Sequence, residues 1–176
     1  MTLLQTDRLT LRPLLPGDTA AYAAMRYHPD VAKWLLPAAG DPRDAARAAI
    51  ERHAASWRER GYGPWGVFRD GHLIGHAGLN FVVEFGETEV LWSLHPDSWR
   101  QGFATEAARA ALHFGFGTLG LAAIFAVTRP DNIASQAVMK RLGLTYRRNV
   151  TYRDIDSVWF DIDRATFEKL GRTARP

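Results

Sequence analysis

The chain has 176 residues, 47% of them apolar and 11% aromatic, enough for one hydrophobic core and too few for two, so a single domain over residues 1–176 is expected. Its 22 Lys and Arg against 19 Asp and Glu leave a net charge of +3 with the arginines scattered, which argues against nucleic acid and leaves room for an acidic partner. The absence of cysteine excludes disulfides, thiolate catalysis and Cys-zinc sites; no apolar run approaches the roughly 20 residues that span a bilayer, and Asp7 and Arg8 interrupt any signal-peptide core, so a cytoplasmic protein without membrane contact is expected.

Residues 8–14 (RLTLRPL) alternate as a first strand, which Pro13 and Pro16 stop. Asp18 reads as the N-cap of a helix through Tyr22 and Met25 that His28-Pro29 ends. Asp41-Pro42 opens a second helix that places Ala46, Ala49, Ile50, His53 and Trp57 on one face and stops at Gly61. Residues 65–68, the turn Asp70-Gly71 and residues 73–81 read as a hairpin extended toward Phe85. Gly86 turns the chain into a strand over residues 88–94, ended by His95-Pro96, so three or four antiparallel strands precede the middle of the chain.

A helix over residues 103–116 follows, with Ala104, Ala107, Ala108, Ala111 and Leu112 at helical spacing. Residues 121–128 form an apolar run suited to a strand buried on both faces, and Pro130-Asp131-Asn132 opens a helix that Gly143 closes. Strand, helix, strand in that order implies a parallel pair joined by a right-handed crossover. Residues 145–162 return to strand alternation, and residues 171–176 read as a loose end.

Two glycine clusters flank the central helix. GFGTLG spells a dinucleotide fingerprint, but such a fingerprint must follow a strand and open a helix, because the phosphate rests on free N–H groups at the helix N-terminus. Here the order is reversed, and the carbonyl end of a helix repels phosphate, so Gly117 and Gly120 read as C-cap and turn residues. RQGFAT has the required polarity: Gly102 permits close backbone approach, Ala104 keeps the first turn uncrowded, Thr105 offers a hydroxyl, and Arg100 and Gln101 add donors. An ordinary loop and helix start accounts for the same six letters.

The order of motifs goes further. ETEVLWSLHPDSWRQGFATEAARAAL followed by TRPDNIASQAVMKRLGL resembles the GNAT superfamily of acetyl-CoA-dependent N-acetyltransferases, and most of all its RimJ/RimL-type branch, which acetylates N-termini of ribosomal proteins. The matching residues are Glu89 to Trp92, His95-Pro96, Trp99 to Ala107, Asn132 to Ser135 and Leu142-Gly143-Leu144; LQTDRLTLRPL and GVFRDGHLIGHAGL extend the likeness over about residues 4–162.

That resemblance implies an α/β fold: a mixed, mostly antiparallel sheet, flanked by helices, whose fourth and fifth strands splay to admit the acetyl-pantetheine arm. Carried over by position, Arg100, Gln101, Gly102, Phe103, Ala104 and Thr105 would hold the pyrophosphate, backbone at Leu94 and His95 would pair with pantetheine, and Asn132 and Ser135 would approach from the other side. Taken alone, those last two are a helix cap and a first-turn serine.

The amine must lose a proton before attacking a thioester, which suits a carboxylate, and the tetrahedral intermediate needs an N–H donor, which a backbone amide on the splayed fourth strand could supply. Glu89 is the expected base, read otherwise as a solvated strand residue in an acidic turn with Glu84 and Glu87; Asp154 and Asp156 are the fallback. Met139 stands where many members carry an acid tyrosine, which turns attention to Ser135 as proton donor to the thiolate, and Leu91 replaces a glycine beside Trp92.

His72 and His76 have metal-ligand spacing only for a helix; on a strand they stand roughly 13 Å apart. His53 reads as a satisfied, partly buried histidine, and Trp34, Trp57, Tyr62 and Trp65 as core or as the wall of a peptide groove. The expectation is therefore an acetyl-CoA-dependent transferase without metal, acting on a protein N-terminus, with a polyamine or aminoglycoside as the alternative acceptor and a homodimer allowed. A silent acyl-CoA-binding module and a nucleotide-dependent oxidoreductase using GFGTLG are the competing classes.

Overall fold

The computed structural model describes residues 2–35 and 40–173. Five strands precede the central helix, one more than expected: β1 (Leu4–Gln5), β2 (Thr10–Arg12), β3 (Pro64–Arg69), β4 (His72–Val82) and β5 (Glu87–Leu94). The opening RLTLRPL contributes only its centre to β2, and β1 pairs with it as Leu4↔Leu11. Between them and β3 lie α1 (Thr19–Arg26), α2 (Pro29–Ala32) and α3 (Pro42–Arg60). The second half runs α4 (Phe103–His113), β6 (Ala123–Thr128), α5 (Ile133–Arg141), β7 (Thr145–Tyr152), β8 (Ile155–Asp163) and α6 (Arg164–Thr173). Helix α6 extends into the stretch read as a loose end; residues 174–176 lie outside the described residues.

All eight strands form one sheet in the order β1-β2-β3-β4-β5-β6-β8-β7. Local chemistry explains its joints. Asp41 caps α3 by accepting from the amides of Arg43 at 2.8 Å and Asp44 at 3.3 Å, and Gly61 ends it in the left-handed region at φ 75°. Asp70 and Gly71 both take positive φ, the tight hairpin turn expected of Asp-Gly. Arg153 and Asp154 do the same between β7 and β8 without a glycine. Asp18 departs from expectation: it stands before α1 but makes no cap, because Arg12 draws its carboxylate into two 2.8 Å contacts and the Leu15 amide donates to it at 2.7 Å.

Helix α4 lies over one face of the sheet, where Ala107, Ala108, Ala111 and Leu112 pack with Val90, Leu94 and Ile124. Helix α1 lies over the other, where the Ser93 hydroxyl donates to Met25 Sδ at 3.8 Å. Beyond His113 the chain forms one wide π turn over Phe114–Thr118 that contains Gly117, correcting its reading as a C-cap; Gly120 then takes the positive φ of a turn. Gly115 sits where a Cβ would meet Ile124 Cδ1 at 2.6 Å, so GFGTLG serves packing and turning.

The parting of β5 from β6 positions the site. The His95 amide donates to the Ile74 carbonyl at 2.8 Å, which fixes the β4–β5 ladder. By strand alternation Glu89, Leu91 and Ser93 turn their backbone groups toward β4, while Thr88, Val90, Trp92 and Leu94 turn theirs toward β6. Strands β5 and β6, the parallel pair across the α4 crossover, meet at the single position Glu89↔Phe125. Past Val90 they part, and the Trp92 and Leu94 amides face the gap.

Candidate active site

The gap opens into a cleft of about 1850 Å³ that passes from the N-terminus of α4 through the split to the region beneath α1 and α3. At its α4 end Gly102 adopts φ 82°, a left-handed conformation that a side chain would strain, and no side chain caps the helix. The first helical bond runs from the Glu106 amide to the Gly102 carbonyl at 3.0 Å, which leaves the amides of Phe103, Ala104 and Thr105 without intrahelical partners. Uncapped amides at the positive end of a helix dipole fit a pyrophosphate.

The one carboxylate in that first turn is neutralised. Against the opposing effect of burial, the Thr6 hydroxyl donating at 2.7 Å, the Arg8 amide donating at 2.9 Å and the Arg8 guanidinium paired at 2.6 Å hold the Glu106 carboxyl below the ordinary range. Arg8 also donates to the Gln101 carbonyl at 2.9 Å and lies 4.5 Å over the Phe103 ring. Arg100, Gly102, Phe103, Ala104 and Thr105 all line the cleft. The Gln101 side chain does not; it is spent on the Asp97 carbonyl at 2.8 Å and on Arg69 at 3.1 Å.

Two expected backbone contacts are also committed elsewhere. The His95 amide belongs to the β4 ladder, so it cannot face a ligand in the gap, and the Leu94 carbonyl accepts from Trp99 Nε1 at 2.8 Å. Of the backbone groups at Leu94 and His95, the Leu94 amide is the one left facing the gap, alongside both backbone groups of Trp92. Across the gap, Asn132 caps α5 by accepting from the Ser135 amide at 3.2 Å, and both residues line the cleft. Met139 is buried in the core at 1% exposure and offers no proton.

Glu89 sits at the last paired position before the split and lines the cleft. It is buried at 9% exposure rather than solvated, unlike Glu84 and Glu87 in the exposed turn. Burial pushes its carboxyl up to about 7; the charge of Arg153 and a hydrogen bond with Asn80, directly opposite on β4, pull the other way. Tyr152 is pushed up to about 12, first by burial and then by the Glu89 charge. Asp154 and Asp156, the fallback bases, are exposed and do not line the cleft, whereas their neighbours Arg153, Ile155 and Ser157 do.

Beyond Glu89 the cleft reaches three aromatic rings that close a triangle: Tyr22 to His53 at 6.0 Å, His53 to His76 at 5.8 Å and Tyr22 to His76 at 5.5 Å. The Tyr22 hydroxyl lies 3.3 Å from His76 Nδ1. His53 is not the satisfied histidine its sequence suggests, for its Nδ1 is buried without a partner. Burial lowers its pKa to about 4, helped by the charges of Arg52 and Arg26, and lowers His76 well below the ordinary range, helped by His53 and Arg26. Both rings are therefore neutral near pH 7. Trp57, Tyr62 and Trp65 are core; Trp34 lines the cleft, and residues 36–39 of the expected acceptor loop lie outside the described residues.

Asn80 is absent from the sequence reading, where Tyr22, His53 and His76 appear singly and not as one group. A signal for part of them exists: on a strand, His76 and Asn80 in HLIGHAGLN fall on one face, and pairing with β5 puts that face beside Glu89 and Ser93.

Comparison with known proteins agrees with this geometry. Residues 8–145 match the Acetyltransferase (GNAT) domain family. The uncharacterized N-acetyltransferase YoaA of Bacillus subtilis is 31% identical over 144 residues, 80% of this chain and 81% of that protein. The FsC-acetyl coenzyme A-N(2)-transacetylase of Aspergillus fumigatus is 35% identical over 155 residues, 81% of this chain and 65% of that protein. Among solved structures, an acetyltransferase from Agrobacterium tumefaciens superposes with a TM-score of 0.82 at 29% identity, over 92% of this chain and 94% of that one. Mycobacterium smegmatis RimJ in complex with CoA-disulfide superposes with a TM-score of 0.79 at 20% identity, over 95% and 90%, a likeness of fold. A split parallel pair with an anion-ready helix at its mouth thus has its counterpart in an enzyme family, and this chain belongs to the GNAT acetyltransferases.

Proposed function

We propose that the protein moves an acetyl group from acetyl-CoA to the α-amino group of a polypeptide, as a cytoplasmic enzyme of the RimJ/RimL type, with Glu89 as the base. The observation that carries this reading is a buried carboxyl with a pKa near 7 at the point where β5 and β6 part. An α-ammonium, with a pKa near 8, gives up its proton to a carboxylate raised toward neutrality more readily than a lysine ammonium near 10.4 does.

Bound acetyl-CoA supplies an activated acyl carbon and a thiolate leaving group. The amides of Phe103, Ala104 and Thr105, with Arg100, hold its pyrophosphate; the Leu94 amide pairs with its pantetheine arm. Glu89 takes the ammonium proton, the N–C bond forms and the C–S bond breaks, the second amine proton is given up as the sulfur departs as CoA thiol, and the Trp92 amide, the first past the last β5–β6 pair, donates to the carbonyl oxygen as charge grows there. Ser135 donates to the departing sulfur, in the absence of a tyrosine at position 139. The relative from Aspergillus fumigatus supports the use of acetyl-CoA and transfer to nitrogen through its name, and the RimJ likeness supports the acceptor through fold alone.

Thiol release from acetyl-CoA, measured with a peptide panel, tests the reading. Release is expected with free N-termini and lost when the same peptides are N-terminally blocked. Equal release from blocked peptides carrying lysine, or release only with polyamines or aminoglycosides, overturns it.

A further inference from the structure

The acceptor half of the cleft holds two cations that acetyl transfer to a simple amine does not need. Arg26 follows Tyr22 by one helical turn on α1 and so shares its face, while Arg52 stands next to His53 on α3. Both line the cleft, and both act on the Tyr22 hydroxyl and the His53 ring, so their charges converge on the same aromatic group. Among the described residues no carboxylate lies within ion-pair distance of either guanidinium. Of the other cations lining the cleft, Arg153 pairs with Glu84 and Lys33 with Asp30, while Arg129, just past the end of β6, has a buried Nε without a partner.

Acidic residues in the lining tell the same story. Glu106 is committed to Arg8 beside the phosphate-binding turn, and Asp7 and Asp131 belong to that half as well. Around the Tyr22–His53–His76 group the lining contains one carboxyl, Glu89, against Arg26 and Arg52. The histidines add no charge, and the unpartnered Nδ1 of His53 leaves a polar atom unsatisfied at the base of this half. Such a wall repels polycations and attracts an anion held beside the reacting amine.

Resting on the acetyl-transfer reading of the cleft, we infer that the acceptor is a primary amine carrying a carboxylate, and that Arg26 and Arg52 bind that carboxylate while Glu89 addresses the amine. The carboxylate comes either from an acidic side chain close to a peptide N-terminus or from a free amino acid. A polyamine or an aminoglycoside lacks it.

The test compares matched acceptors: peptides with Asp or Asn after the first residue, and a free amino acid against its carboxamide, in the wild type and in an Arg26→Gln/Arg52→Gln double variant. The wild type is expected to favour the acidic member of a pair by about tenfold or more in kcat/KM, mainly through KM, and the pair that shows this names the source of the carboxylate. In the double variant the ratio falls toward one while acetyl-CoA still raises the melting temperature; an Arg→Lys pair restores part of it. Equal rates for acidic and neutral members, or a preference that survives the double variant, overturns the inference and leaves the acetyl-transfer reading standing. The same pairs are run on ε-amines of N-terminally blocked peptides. Turnover there alone overturns the α-amine reading, while the acid-to-neutral ratio still decides the inference. If no amine is acetylated, both fall.

Discussion

The two halves of the cleft are built by different means. The α4 half is main chain: a left-handed glycine, an uncapped first turn and amides that point at one place. The acceptor half is side chain, contributed by α1, α3, β4, β5 and the β7–β8 hairpin from positions scattered along the chain. Recognition through backbone leaves a short linear motif, because only certain residues permit the backbone shape. Recognition through scattered side chains leaves none. A ligand common to a whole family can therefore be read from a few letters, whereas an acceptor peculiar to one enzyme is visible only after folding.

Glu89 stands between the halves, and its variants separate them most sharply. Glu89→Gln is expected to lower turnover by about two to four orders of magnitude in a steady-state thiol-release assay, with acetyl-CoA binding retained. The same substitution should raise stability in alkaline buffer. A folded-state pKa near 7, above the ordinary 4.5, means that the contribution of protonated Glu89 is complete below about pH 4.5 and is lost as pH rises through 7. Removing the ionisable group therefore stabilises the protein by about 3 kcal/mol above pH 7, a gain that shrinks to nothing in acid, as denaturant melts at two pH values would show.

Damage to the α4 half has a different signature. Gly102→Val forces a β-branched residue to φ 82°, at a position where even a Cβ meets Arg8 Nη2 at 3.3 Å. The expected result is a loss of about 1–2 kcal/mol in stability and about a tenfold weaker Kd for acetyl-CoA by calorimetry, with the acid-to-neutral acceptor ratio unchanged. Asn132→Ala removes the cap on the Ser135 amide and should cost about 1 kcal/mol, the smallest of these effects, read from thermal melts.

Much of the fold was legible because its signals are local. Asp41-Pro42 with Gly61 delimits α3, Asp70-Gly71 sets the β3–β4 hairpin, and the strand, helix, strand order gives the one parallel pair. What escaped was decided by competition or by tertiary contact. Asp18 had the right place for a cap, but Arg12 offered a charged partner instead. The β7–β8 turn uses Arg153 and Asp154 at positive φ, where no glycine announces it. Glu89 was located by its motif, yet its burial was not legible: the same acidic cluster holds the exposed Glu84 and Glu87, and alternation does not say which face another layer covers. His53 was placed on the inward face correctly, and only the packing of α1 against α3 shows that its ring nitrogen lacks a partner.

Release of CoA thiol from acetyl-CoA, followed across neutrality with a free-N-terminus peptide, decides whether the cleft carries out acetyl transfer. Thiol release is expected in step with acetylation of the peptide, with a kcat/KM that rises with pH through about 7 as Glu89 loses its proton. Acetyl-CoA that binds and raises the melting temperature, yet releases no thiol with any amine at any pH, would contradict it and leave the protein a silent binder.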